Sequence, residues 1–147
     1  MKFRTIVASI AAFAAVVSCG KKEVSLTESL AGKWSGSNKV ELTITDSLGN
    51  TVIQEFMAPI NFEYLADSTF TAEIAINDSS IVKLGGIVTS VTDSAVVVAG
   101  TMSCEAATDI TGEFKMNPDN SLSISYTGSF PERGLIHKGA AIVTRKN

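Results

Sequence analysis

The sequence predicts an all-β domain built as an eight-stranded antiparallel up-and-down barrel, and two observations carry that prediction. Apolar and polar residues alternate in run after run, the mark of strands with one buried face. The runs are separated by short groups of turn formers such as Asp46-Ser47 with Gly49-Asn50, Asp67-Ser68 and Pro118-Asp119-Asn120. Connections this short join neighbours as antiparallel hairpins, because parallel pairing needs crossovers of a dozen or more residues. Eight such strands, each with one apolar face, close on themselves and leave no edge open to wrong pairing.

Taken in order, Ser25-Leu26-Thr27-Glu28 has the spacing of a capping box, so one or two helical turns are expected before the first strand. Strands are expected near 34–46, 51–65, 68–77, 81–91, 94–104, 109–117, 121–129 and 138–146. The alternation is clearest in Val40, Leu42 and Ile44, in Phe70, Ala72, Ile74 and Ile76, and in Leu122, Ile124 and Tyr126. Pro59 cannot donate to a ladder, which predicts a bulge or bend in the second strand. Gly85-Gly86 and Gly100 mark sharp coiling in the fourth and fifth. The fifth strand is apolar on both faces, so Ala95, Val97 and Ala99 should be covered from outside, by the N-terminal helical turn or by a partner protein. The segment 131–137 reads as the long connection, and His137 as a loop residue within it.

The first residues have a different character. Lys2 and Arg4 precede the apolar run Ile6–Val17, which is too short for the roughly 20 residues that span a bilayer. The run stops at Val16-Val17-Ser18-Cys19. This resembles the lipobox of bacterial lipoprotein signal peptides, which implies cleavage after Ser18 and lipidation of Cys19. Residues 1–18 are then a signal peptide, 19–31 a lipidated N-terminus, linker and short helical turn, and 32–147 the barrel domain. Two or more acyl chains hold a protein stably on a membrane. Gly20 stands where the aspartate of many inner-membrane lipoproteins would be, so the expected place is the outer membrane, on its periplasmic face or at the cell surface.

Cleavage removes Lys2 and Arg4 from the twelve basic residues and none of the fifteen acidic ones. An acidic chain without a basic stripe argues against nucleic acid as partner. Cys104 is left without a second thiol and reads as a buried, apolar core residue, with an intermolecular pairing as the alternative.

Gly32-Lys33-Trp34, after a helical turn and at the start of an eight-stranded meander, resembles the Gly-x-Trp signature of lipocalins and lipocalin-like proteins. That resemblance implies that Trp34 packs across the closed end and that Arg145, near the end of the last strand, covers it. Arg133 is the alternative covering residue. Gly32, Trp34 and Arg145 are thus the expected barrel closure.

The resemblance also implies a carrier of a small hydrophobic ligand. Phe62, Tyr64, Phe70, Phe114 and Tyr126 fall on the inward rows and are the candidate ligand-binding residues. An eight-stranded interior is just wide enough to be filled by side chains or to hold one small ligand. The alternative is therefore a filled, non-catalytic module that binds another envelope protein through its outer surface. No catalytic residues are assigned. There is no nucleophile elbow, phosphate loop or dinucleotide motif, and one histidine supports neither a hydrolase triad nor a metal site. No cofactor is expected.

Overall fold

The computed structural model describes residues 25–103 and 107–147. A short helix, α1 (Leu26–Leu30), precedes eight strands: β1 (Gly32–Thr45), β2 (Thr51–Tyr64), β3 (Thr69–Asn77), β4 (Ser80–Val91), β5 (Ala95–Ser103), β6 (Ala107–Met116), β7 (Leu122–Phe130) and β8 (Leu135–Arg145). Every strand pairs antiparallel with its sequence neighbour, and β1 pairs with β8 to close the ring. This is the expected up-and-down barrel. The segment expected to be a signal peptide, Cys19 and Cys104 lie outside the described residues.

The alternation works as the physics of a half-buried strand requires. Along β7, Leu122, Ile124, Tyr126 and Phe130 are buried, while Ser125, Thr127 and Ser129 face solvent. Turns are held by short side chains that accept from the local backbone. Asp46 accepts from the backbone N–H groups of Leu48 (2.8 Å) and Asn50 (2.9 Å), and Asp67 and Asp119 do the same for Thr69 and Ser121. Hydrogen bonds from Asn50, Thr69 and Ser121 hold these three carboxyl groups below their ordinary pKa.

Three expectations need correction. First, no bulge occurs at Pro59, because the β1–β2 register runs unbroken from Gly32↔Tyr64 to Thr45↔Thr51. The proline acts on the other side. The bond from Leu65 N to Thr69 O fixes the phase of the β2–β3 ladder, so that residues 61 and 63 exchange bonds with β3 and residue 59 would be next. Proline has no N–H to give. The ladder ends at Ile60↔Ile74, and residues 51–59 pair with β1 alone. The bulges fall instead at Ala75/Asn77 and Val88/Ser90.

Second, the last strand begins at Leu135, and His137 is a buried strand residue rather than a loop residue. A 3-10 turn (Pro131–Arg133) and Gly134 in the left-handed conformation (φ 59°) make the connection compact. The Gly134 carbonyl accepts from Thr45 N (2.7 Å), which brings β8 alongside β1 three residues earlier than the sequence indicates.

Third, α1 does not cover the outer row of β5. Its capping box forms, with Ser25 N donating to Glu28 Oε2 (3.1 Å) and Glu28 N to Ser25 Oγ (3.2 Å). Its C-terminal carbonyls, however, are claimed at the closed end of the barrel by Trp34 and Arg145. On β5, Ala95 is buried, whereas Val97 is exposed.

Candidate functional site

The closed end is built from both ends of the barrel sequence. Trp34 pairs with Arg145 across the β1–β8 seam. The indole Nε1 donates to Leu30 O (2.9 Å), and the guanidinium lies 4.3 Å from the ring centroid. Arg145 also donates to Ala31 O and Ser29 O, both at 2.6 Å. Cation–π contact of this kind contributes on the order of 1 kcal/mol. A side chain at Gly32, which has φ +126°, would run into the Arg145 guanidinium. Gly32, Trp34 and Arg145 thus come together at the barrel floor, and Arg145, not Arg133, covers the tryptophan.

Above the floor lie the candidate ligand-binding residues. Phe62, Phe70 and Phe114 interlock: Phe114 stands edge-on to both others, with centroids 4.8 and 4.9 Å away, and Phe62 and Phe70 are 6.2 Å apart. Aromatic groups favour this edge-to-face geometry. Together with Ile60, Ala72, Leu84, Val98, Ile110, Ile124 and Tyr126 they leave a cavity of about 10 Å³, about the threshold for one water molecule. Tyr64 is buried nearer the floor, and its hydroxyl has no hydrogen-bond partner among the described residues. The five residues do share one interior, as the inward rows required. That interior is full.

Sequence reasoning missed a polar group inside this core. Asn38, on the inward row of β1, is fully buried and donates through Nδ2 to the Tyr126 hydroxyl (2.9 Å). That hydroxyl lies 3.2 Å from Nε2 of His137. Burial pushes the Tyr126 hydroxyl above its ordinary pKa and the His137 imidazole down to about 4, so the histidine is neutral at pH 7. The geometry depends on Gly139: any side chain there would strike the Tyr126 ring. The available signal was parity, since Asn38 is in step with Trp34 and Val40, and His137 with Ala141 and Val143.

The outer surface offers the complementary picture. Met57 and Ile142 are 62% and 65% exposed and border an open groove of about 610 Å³, lined also by Glu113, Lys115, Ser123, Ser125 and Ala140. Leu48, Val52 and Ile53 stand exposed on the β1–β2 hairpin, where β2 has lost β3 as a neighbour. Among the described residues no cluster of His, Cys, Asp or Glu has the arrangement of a metal site. No helix among them is long and apolar enough to cross a membrane. No known protein family's sequence pattern matches the chain, and no curated protein registers as its relative.

Proposed function

We propose that this protein is a lipid-anchored, non-catalytic module of the bacterial outer membrane that binds another envelope protein through the outside of a filled barrel. The observation that carries the reading is the contrast between inside and outside. The cavity beside the interlocked phenylalanines measures about 10 Å³, while the exposed apolar side chains of Met57 and Ile142 border an open outer groove that Glu113 and Lys115 also line. Contiguous exposed apolar surface marks interaction sites. The resemblance to lipocalins supports the carrier reading, for which the three interlocked phenylalanines would have to separate before an acyl chain could enter.

The anchor gives the module an orientation. Five residues separate Cys19 from Ser25, so the two lie at most about 20 Å apart. Helix α1 is fastened to the closed end by Trp34 and Arg145. The closed end therefore faces the bilayer, and the β1–β2 turn and the 3-10 turn face away from it.

Two measurements test these parts separately. In detergent phase partitioning, the native protein should enter the detergent phase without residues 1–18, and Cys19→Ala should stay in the aqueous phase. An aqueous native protein that keeps its leader removes the anchor. For the partner, a photo-crosslinking residue at position 142 should give one adduct of defined mass in cells, and the same residue at Thr71 should give none. Saturable binding of a fluorescent fatty acid analogue, with no adduct at position 142, returns the carrier reading.

A further inference from the structure

The polar group buried among Asn38, Tyr126 and His137 has a direction. Asn38 Nδ2 donates to the Tyr126 oxygen, which leaves the phenol hydrogen for Nε2 of His137. The imidazole is therefore an acceptor at Nε2 and uncharged. A proton added at Nε2 turns it into a donor. The Tyr126 hydroxyl must then turn its hydrogen toward Asn38, whose amide must flip to present Oδ1, an atom that is buried without a partner in the present arrangement.

Among the described residues nothing facing His137 compensates the new charge. From β7 it meets the Tyr126 hydroxyl, Gly128 and Phe130, and from β1 Asn38, Val40 and Leu42, none of them charged at neutral pH. The inward rows of β2 to β6 carry no acid or base other than Tyr64. On the inward row of β8 the remaining charged group is Arg145, at the closed end and of the same sign. Lys138 and Glu41, the nearest charges along the chain, lie on the outward face and pair with each other at 3.4 Å. A buried cation without a partner is strongly disfavoured.

We propose that the Asn38–Tyr126–His137 chain is an acid-sensitive latch, in which protonation of His137 reverses the hydrogen-bond order and releases the distal end of β8. The segment freed is Leu135–Gly139 with the 3-10 turn before it, while Trp34 and Arg145 keep the other end fastened. Release exposes Phe130, Leu135 and Leu42. The latch does not depend on which partner the outer face takes.

The sign follows from linkage. The folded pKa of about 4 lies below the ordinary 6.5, so the latch is fully closed above pH 6.5 and weakens as pH falls toward 4. Between pH 7 and pH 5 the opening constant should rise roughly twentyfold. The carboxylates of Asp46, Asp67 and Asp119, whose pKa values are lowered, act in a separate range below 3.8.

The test uses the full chain in detergent. His137 is the only histidine, so its ring signals in a magnetic resonance titration assign themselves, and their midpoint should fall near 4. Hydrogen exchange, normalised for intrinsic rate, should accelerate at 131–139 between pH 7 and pH 5 and stay unchanged at 140–145. His137→Gln keeps an acceptor for Tyr126 but takes no proton, and should abolish the acceleration. If that variant does not fold, Tyr126→Phe, which removes the relay's central hydroxyl, should raise exchange at 131–139 already at pH 7. A folded midpoint near 6.5, an equal acceleration in His137→Gln, an acceleration spread evenly over all strands, or an unchanged pH 7 exchange in Tyr126→Phe overturns the proposal.

Discussion

Phe114→Ala should lower the stability of the barrel by about 3–5 kcal/mol, the range for removing a large aromatic group from a core that relaxes only partly. Phe114 is the ring that touches both Phe62 and Phe70, and its strand is held on both sides by ladders to β5 and β7, so the walls cannot collapse to fill the space. The variant should also acquire a property the native protein lacks. An apolar void of that size stays dry and binds small aromatics, so benzene should raise the melting temperature of Phe114→Ala and leave that of the native protein unchanged. Denaturant unfolding measures the first effect. A loss below about 1 kcal/mol would show that the interior is not packed as described.

Gly86→Ala should be nearly as damaging, by about 3 kcal/mol, for the opposite reason. Gly86 faces Gly100 across the β4–β5 ladder. A Cβ on Gly86 would meet the Ala99 carbonyl oxygen and stand 2.6 Å from the Gly100 Cα, and a Cβ on Gly100 would strike the Gly85 carbonyl. These are backbone atoms that cannot swing aside. The two strands must separate where they are most tightly apposed, so thermal unfolding of Gly86→Ala should begin well below that of the native protein. By contrast Gly49→Ala, with nothing within 4 Å of its added carbon, meets no neighbouring atom. Its cost is confined to the left-handed backbone of a turn.

The fold was legible because antiparallel strands covered on one face write their geometry into the sequence with period two. Where that rule fails, legibility fails with it. In Leu135-Ile136-His137-Lys138 two apolar residues precede two polar ones, because Ile136 points outward and His137 inward, so the start of β8 was hidden. Pro59 was recognised as a break, yet its effect depends on which side of the strand its missing N–H would face, and only the register decides that. Asn38 sits in the run Ser35 to Lys39, which has no apolar side chain to set the phase, so nothing marks one member as buried. The composition of the interior was readable from Phe62, Phe70 and Phe114, but its fullness was not. Fullness follows from volumes meeting in three dimensions, such as the Tyr126 ring lying where Gly139 has no side chain.

The pairing of β1 with β8 sets the order in which the protein can be assembled. Those eleven residue pairs, from Trp34↔Arg145 to Ile44↔Leu135, join parts of the chain about as far apart in sequence as the domain allows, and contacts of such range form late because loop closure must precede them. The seven hairpin ladders can form as their segments arrive. A chain delivered N-terminus first therefore holds β1 with one side unpaired until β8 emerges, and the contacts of Arg145 with Trp34 and with the carbonyls of α1 are among the last to be made. During that interval the chain is an open sheet with two unpaired margins, the arrangement most exposed to pairing with another chain.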